Sequence, residues 1–373
     1  MCNSPVDTVE PKALNIALLP GDGIGPEVLD AAVMVLHETA SACDFDLRFE
    51  VFSVGATEYL KTGDPMPEAV FTRLVDFDAI LLGAIGLPGV RWPSGVEMTP
   101  QLDLRERMDL YCGLRPIYLF HPLDSPLRNQ EKGSIDLMLV RESTEGLFSS
   151  RKNPLNPAAD MVEDVMRISR GGSIRIIRAA FLEAMKRRKH LTLVDKANVL
   201  PSMAFFRKIF DEIAVEYPEV QTDRIYVDAV SLYLVQRPQS FDVLVTENMF
   251  GDILSDLLAG LIGGMGMAPS ADVGDNYAVF QPSHGSAPDI AGQGIANPIA
   301  TILSTAMMLD WLGTKETKRG ADLIRSAVEK VMKDPLLRTR DMGGKLSTSA
   351  MAATVVEQLH GVLGASEKQI RHY

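Results

Sequence analysis

The sequence predicts an α/β protein organised on an open, mostly parallel sheet, and three observations carry that expectation. Short apolar runs alternate with stretches of helical spacing, the pattern of strand–helix–strand crossovers. A glycine-rich turn, residues 20–28 (PGDGIGPEV), follows the first apolar run and opens a helix. The length, 373 residues, exceeds what one hydrophobic core usually organises, so two domains or one large α/β unit are expected.

Residues 1–12 read as a loose arm and 14–19 (LNIALL) as the first strand. In the turn that follows, Gly21, Gly23 and Gly25 are spaced G-x-G-x-G-P. The third glycine comes one residue too early for the dinucleotide fingerprint. The turn therefore reads as a tight entry into a helix reaching Ala42, with Pro26 in its first turn. Residues 49–54 and 77–84 are the next strands. A helical pattern covers 104–116 (LRERMDLYCGLRP), carrying Arg105 and Arg107, with Arg115 at its end before Pro116. Residues 135–140 (IDLMLV) form a strand that ends at Arg141. A planar guanidinium grips a carboxylate through two parallel hydrogen bonds. Arg105, Arg115 and Arg141 would make a carboxylate clamp if the fold brought them together. Singly, such arginines are usually surface ion pairs.

Residues 143–172 are polar and irregular, contain Pro154 and Pro157, and suit an exposed arm or β-ribbon. A basic amphipathic helix is expected over 173–189, with KRRK as its solvated face. Residues 191–195 (LTLVD) form a strand that delivers Lys196 and Asn198, and 224–230 a strand that carries Asp228. The strand 242–246 turns into a helix bearing Asp252 and Asp256. Four residues apart, these carboxylates share a helix face and repel unless a cation lies between them. A hard divalent cation, Mg²⁺ or Mn²⁺, suits such oxygens; a solvated acidic face is the plainer alternative. The apolar, glycine-rich run 257–267 is expected to be buried. The loop 284–289 (HGSAPD) suits close backbone approach by a ligand. Residues 299–312, 323–333 and 347–363 read as helices, and no internal repeat or low-complexity linker is visible.

Composition narrows the function class. Hydrophobic residues at 46% and charged residues at 23% are ordinary for a soluble globular enzyme. The formal net charge of −12 opposes binding to nucleic acid or an anionic membrane. No uninterrupted apolar run has transmembrane length and no signal-peptide pattern is present, so a cytoplasmic location is expected. Cys2, Cys43 and Cys112 are scattered and odd in number, as reduced thiols are. Neither they nor the six histidines show metal-ligand spacing, so any metal should be oxygen-bound.

Seven motifs occur in order from Leu18 to Pro298: LLPGDGIGPEV, CGLRP, VRESTEG, VDKANVL, YVDA, NMFGDILSD and HGSAPDIAGQGIANP. In that combination the chain resembles the isocitrate/isopropylmalate dehydrogenase family of β-decarboxylating dehydrogenases over nearly its whole length. The resemblance implies an isopropylmalate dehydrogenase-like open mixed sheet that is not a standard Rossmann fold. It implies a discontinuous NAD-binding domain, 1–110 plus 263–373, and a dimerisation domain, 111–262, with an interlocking arm at 144–170. It implies a homodimer whose active sites are shared. Asp252 and Asp256 match metal ligands, with Asp228 contributed by the neighbouring subunit. Arg105, Arg115 and Arg141 match the clamp on the carboxylate that leaves. Lys196, also from the neighbour, matches the catalytic lysine, and Asn198 lies near the nicotinamide. The loop of His284, Gly285, Ser286, Ala287 and Asp289, with Asn297, matches the NAD site. Asp289 stands where NADP-linked relatives carry a lysine, and a carboxylate there repels a 2′-phosphate, so NAD is expected.

Two departures matter. Phe148 stands where the family motif has a tyrosine that protonates the enolate carbon, and phenylalanine cannot donate a proton. Water or Lys196 could supply it, the substrate could place another group there, or the chain could be a non-catalytic or regulatory subunit. The second departure precedes Arg105. Isopropylmalate enzymes present two leucines there, where this chain has Gln101 and Leu102, with Thr99 nearby. The expected substrate is therefore a small 2-hydroxy diacid with a polar or small group on C3, from the D-malate, tartrate, isocitrate and 3-alkylmalate class.

Overall fold

The computed structural model describes residues 13–153, 156 and 158–370; the expected arm at 1–12, Pro154 and Pro157 lie outside them. The first third runs β1 (Leu14–Gly21), α1 (Gly25–Cys43), β2 (Leu47–Val51), α2 (Ala56–Thr62), α3 (Glu68–Leu74), β3 (Ala79–Ala84) and α4 (Pro100–Arg107). The middle runs β4 (Cys112–Tyr118), β5 (Asp136–Glu142), α5 (Arg170–Met185), β6 (His190–Asp195), α6 (Pro201–Ala214), β7 (Gln221–Tyr226), α7 (Val227–Gln236), β8 (Val243–Thr246) and α8 (Asn248–Gly260). The chain closes with β9 (Pro269–Val273), β10 (Ala278–Pro282), α9 (Ile299–Leu312), α10 (Lys315–Met332) and α11 (Thr348–Ile370).

The strands form one ten-stranded sheet in the order β2-β1-β3-β10-β9-β4-β5-β8-β6-β7. Both wings are parallel. The centre is antiparallel, where β10 meets β9, β9 meets β4 and β4 meets β5. The sheet is thus mixed and open. The β2-side wing draws on both ends of the chain, the β7-side wing on its middle.

Strand alternation decides which residues enter which core. On β1, Ile16 and Leu18 join a core with α1 and α9–α11, while Ala17 and Leu19 face Phe52, Val54 and Leu74 on the other side. On β5, Leu137 and Leu139 point one way; Val140 points the other, toward Ile176, Phe181 and Phe210 of α5 and α6. Such burial is worth about 1.5–3 kcal/mol per large apolar side chain.

Several expectations are corrected. The helical pattern at 104–116 breaks after Arg107, where Asp109 takes a left-handed φ of 50°, and Arg115 lies inside β4. Pro116 fits this central strand because β9 pairs only Cys112–Leu114, so its missing N–H breaks no ladder on that side. Asp228 is not on a strand: β7 stops at Tyr226, and Asp228 sits in the first turn of α7, where a carboxylate suits the helix dipole. The second strand lies at Leu47–Val51 rather than 49–54, the basic helix at Arg170–Met185, and the helix expected at 323–333 starts at Lys315. The 143–172 segment holds a short 3₁₀ turn at Leu147–Ser150 and one isolated bridge, Gly146 to Arg167. Its base is pinned by Glu145, which accepts from the Ser169 N–H at 2.8 Å and from the Ser169 hydroxyl. The run 257–267, expected to be buried, is so only in part: Leu258, Ala259, Leu261, Ile262 and Met267 are buried, Gly260 is exposed and the others are half-buried. No described helix is long and apolar enough to cross a membrane.

Candidate active site

The three arginines arrive from three elements. Arg105 comes from α4, Arg115 from β4, and Arg141 from the end of β5, and all three are buried. What gathers the first two is Asp272 on β9, a fully buried carboxylate that the sequence analysis missed. Arg105 Nε donates to its Oδ2 at 3.0 Å, Arg115 Nη2 to its Oδ1 at 3.2 Å, and Gln281 Nε2 on β10 to Oδ2 at 2.7 Å. Burial works to raise the Asp272 pKa, but the charges of Arg105, Arg115 and Arg141 and the Gln281 hydrogen bond hold it down at about 2. The register makes room for this: Gly113 on β4 is the partner of both Asp272 and Arg141, and a Cβ there would stand 2.7 Å from Ser143 Oγ. The signal for Asp272 was one acid in the apolar run APSADV, close in the fold to arginines that needed a counter-charge.

Arg141 is held separately. Its Nε and Nη2 donate to Asn248 Oδ1 at 3.0 and 2.7 Å, and Nη1 pairs with Asp252. Burial, then the charge of Arg105, lowers its pKa to about 10. Asn248 opens α8, whose N-terminus is capped by Glu247, accepting from Phe250 N–H at 2.6 Å and Met249 N–H at 3.1 Å. That helix turns Asp252 and Asp256 toward the arginines. Partial burial, then the charge of Asp252, raises the Asp256 pKa, as expected of a carboxyl one helical turn from another carboxylate. Among the described residues no group of three or more His, Cys, Asp or Glu side chains is placed to hold a metal ion.

The arginines, Asp252, Asp256, Gln101, Ser255, Gln281, His284 and Gly285 line one polar cavity of about 170 Å³. Thr99 and Leu102 do not line it. They line a second cavity of about 530 Å³ with Trp92, Phe148, Arg151 and Lys152. Phe148 still stands near the clamp, with the Arg141 guanidinium 5.4 Å from its ring centre.

A third cavity, about 670 Å³, is lined by Ile24, Gly263–Gly266, His284, Ile290, Gln293, Asn297, Arg340 and Asp341. The glycine turn meets the 284–289 loop directly, with Ile24 N–H donating to Ser286 O at 2.8 Å. Ser286 is buried and its hydroxyl donates to Gly86 O; Ala287 carries a φ of 37°. Asn297 donates to Asp341 Oδ2 at 3.1 Å. His284 lines both this cavity and the arginine cavity. Its Nδ1 lies 2.8 Å from Gly285 O and so carries the proton, and burial lowers its pKa, so the ring is neutral. Its Nε2, an acceptor, is buried without a partner. Asp289 is exposed and does not line the cavity. Arg340 and Asp341 were missed because their segment, after α10, carries no recognisable spacing.

Lys196 and Asp228 form a pair, Nζ to Oδ1 at 2.5 Å, following β6 and opening α7. Neither lines any of the three cavities, and Asn198 beside Lys196 is exposed. The structure thus divides the expected site residues among an arginine–carboxylate cavity, two larger cavities and an outlying Lys196–Asp228 pair, with Asn198 and Asp289 exposed outside them.

Comparison with known proteins gives consistent results. The family model for isocitrate/isopropylmalate dehydrogenase matches residues 15–357. A 3-isopropylmalate dehydrogenase of Aquifex aeolicus is 40% identical over 360 residues, covering 93% of this chain and 98% of its own. That of Halalkalibacterium halodurans is 42% identical over 365 residues, covering 94% and 99%. Among solved structures, isocitrate dehydrogenase from Methylococcus capsulatus superposes with a TM-score of 0.84 at 38% identity, covering 93% of this chain and 99% of that one. A beta-decarboxylating dehydrogenase from Thermococcus kodakarensis, in its apo form, gives 0.79 at 37%, covering 95% and 98%.

Proposed function

The chain belongs to the isocitrate/isopropylmalate dehydrogenase family of decarboxylating hydroxyacid dehydrogenases, and we propose that it oxidises and decarboxylates a small 2-hydroxy diacid with NAD and a divalent cation. The observation that supports this best is the polar cavity in which three buried guanidiniums face Asp252 and Asp256. Three arginines and a carboxylate pair in one small space suit a dianion better than any neutral substrate.

Asp252 and Asp256 fit a hard cation by donor type and by their mutual repulsion. Asp252 and Asp256, with Asp228 of a second copy, would hold Mg²⁺ or Mn²⁺, which would supply Lewis-acid polarisation of the C2 oxygen. The larger cavity, with the unpartnered His284 Nε2 on its wall, fits a dinucleotide; NAD bound there supplies the hydride acceptor. The remaining work belongs to the chain itself. Arg105, Arg115 and Arg141 bind and orient the carboxylate that leaves. Lys196 of the second copy takes the proton from the C2 hydroxyl. Asp289 favours NAD over NADP by repelling a 2′-phosphate. The 111–262 domain would form the homodimer. Leu232 and Val235 on α7 and Ile253 on α8 are 54%, 45% and 60% exposed, an apolar face that a second copy would cover.

Formation of NADH from NAD or of NADPH from NADP by the purified protein with Mn²⁺ tests the reading, with CO₂ release followed in parallel. Turnover of one diacid with matching CO₂ and a preference for NAD is expected. NADH without CO₂ would place a block after hydride transfer, at the decarboxylation step that precedes protonation of the enolate. A chain that turns over only when a catalytic homologue is added would be a regulatory subunit instead.

A further inference from the structure

Arg338 lies just after α10 and is buried, with its side chain 2% exposed. Every N–H of its guanidinium is committed. Nε and Nη2 donate to the two carboxylate oxygens of Asp124 at 3.0 and 3.2 Å. The remaining donors reach backbone carbonyls: Nη2 to Met332 O at 2.8 Å, and Nη1 to Asp334 O at 2.8 Å and Leu337 O at 3.2 Å. Met332 ends α10, and its carbonyl is one of those a helix terminus leaves without an internal partner. Arg338 thus ties the end of α10 to the loop at 122–124, between β4 and β5.

The chain beyond Arg338 folds back tightly. Leu346 N–H donates to Arg338 O at 3.0 Å and Gly344 N–H to Thr339 O at 2.9 Å. A Cβ on Gly344 would stand 1.9 Å from Arg338 O. This turn carries Arg340 and Asp341, which line the cavity of about 670 Å³. Thr339 Oγ1 donates to Asp341 Oδ1 at 2.5 Å, and Asn297 Nδ2 to Oδ2 at 3.1 Å. The glycine run 263–266, also in that wall, fits against the same group. A Cβ on Gly263 would lie 2.8 Å from Met342 Cε and 3.4 Å from Asp124 Cβ, and one on Gly266 would lie 2.9 Å from Asp341 Oδ2.

We propose that Arg338 and Asp124 are positioning residues for the dinucleotide: their ion pair braces the turn that holds Arg340 and Asp341 in the cavity wall. This rests on the reading of that cavity as the dinucleotide site. Neither side chain lines the cavity, so both act through the turn. A buried ion pair contributes little net stability, because desolvation offsets the attraction. What the pair supplies is position. A guanidinium meeting a carboxylate with two parallel hydrogen bonds fixes direction as well as distance, and an ammonium does not. A wall already held in its bound shape loses less entropy when the ligand arrives.

The test measures the Kd for NADH by fluorescence titration of the full chain, for wild type, Arg338→Lys and Asp124→Asn, beside KM for the diacid and urea unfolding. Phe181→Leu, in the α5 core away from the cavity, serves as a destabilised control. Both brace variants should bind NADH about tenfold more weakly, with KM for the diacid unchanged. Amide hydrogen exchange should quicken at 339–344 in both. Phe181→Leu should lose stability and keep its NADH affinity. Unchanged NADH affinity in the brace variants overturns the inference, and so does an equal loss in Phe181→Leu or a matching rise in KM for the diacid. A wild-type chain that binds no NADH would defeat the dinucleotide reading itself, and this inference with it.

Discussion

At the scale of single residues, Asp272 governs the site without facing the substrate. It neutralises Arg105 and Arg115 and fixes where their remaining N–H groups point. Removing one member of a buried ion pair strands the other, which typically costs about 3–5 kcal/mol. Asp272→Asn should lose that amount in urea unfolding at pH 7. The pH dependence follows from the depressed pKa of about 2 in the folded protein. A carboxyl whose folded pKa lies below its unfolded value, about 3.9, stabilises fully above that value. The contribution is lost as pH falls from about 4 toward 2. The stability difference between wild type and Asp272→Asn should therefore shrink across that window; a difference constant from pH 5 to pH 2 would contradict the assignment.

At the scale of the element, α8 shows how a helix can place three functions at once. Its cap, Glu247, fixes the start; Asn248 in the first turn orients Arg141; Asp252 and Asp256 follow one and two turns on. Gly251 lets the helix lie against Arg141, since a Cβ there would come within 2.6 Å of the Arg141 Cγ. Helix propensity alone would favour alanine at this position by about 1 kcal/mol. Gly251→Ala should nevertheless push Arg141 aside and raise KM for the diacid by about tenfold, which corresponds to 1.4 kcal/mol. The KM for NAD should be unchanged, and a rise in both would point to general misfolding. The helix α4 works in a similar way: Gln101 and Arg105 reach the arginine cavity, while Thr99 and Leu102 line its neighbour.

At the scale of the whole molecule, the antiparallel centre of an otherwise parallel sheet puts β4, β5, β9 and β10 side by side. Residues as distant in sequence as Arg105 and Gln281 thereby meet at one carboxylate. The Lys196–Asp228 pair stays outside the three cavities described above. If a second copy supplies those two residues, two inactive variants should rescue each other. Lys196→Met mixed and refolded with Asp252→Asn should recover NADH formation that neither shows alone. Failure to recover any, with mixed dimers demonstrated, would place the complete site within one chain.

The sequence by itself determined the α/β alternation, the strand that ends at Arg141, the shared face of Asp252 and Asp256, and the family. Each is carried by local periodicity or by a motif of contiguous residues. The chain alone did not reveal β4, β9 and β10. They are short central strands, each carrying a proline, held by non-local pairing rather than by local propensity. With them went Asp272 and Gln281, whose meaning depends on neighbours brought in by that pairing. The placement of Asp228 was misread because a helix start and a strand end look alike over six residues. Tertiary structure alone decided that Gln101 and Leu102, adjacent in sequence, face different cavities, because on a helix successive side chains point about 100° apart.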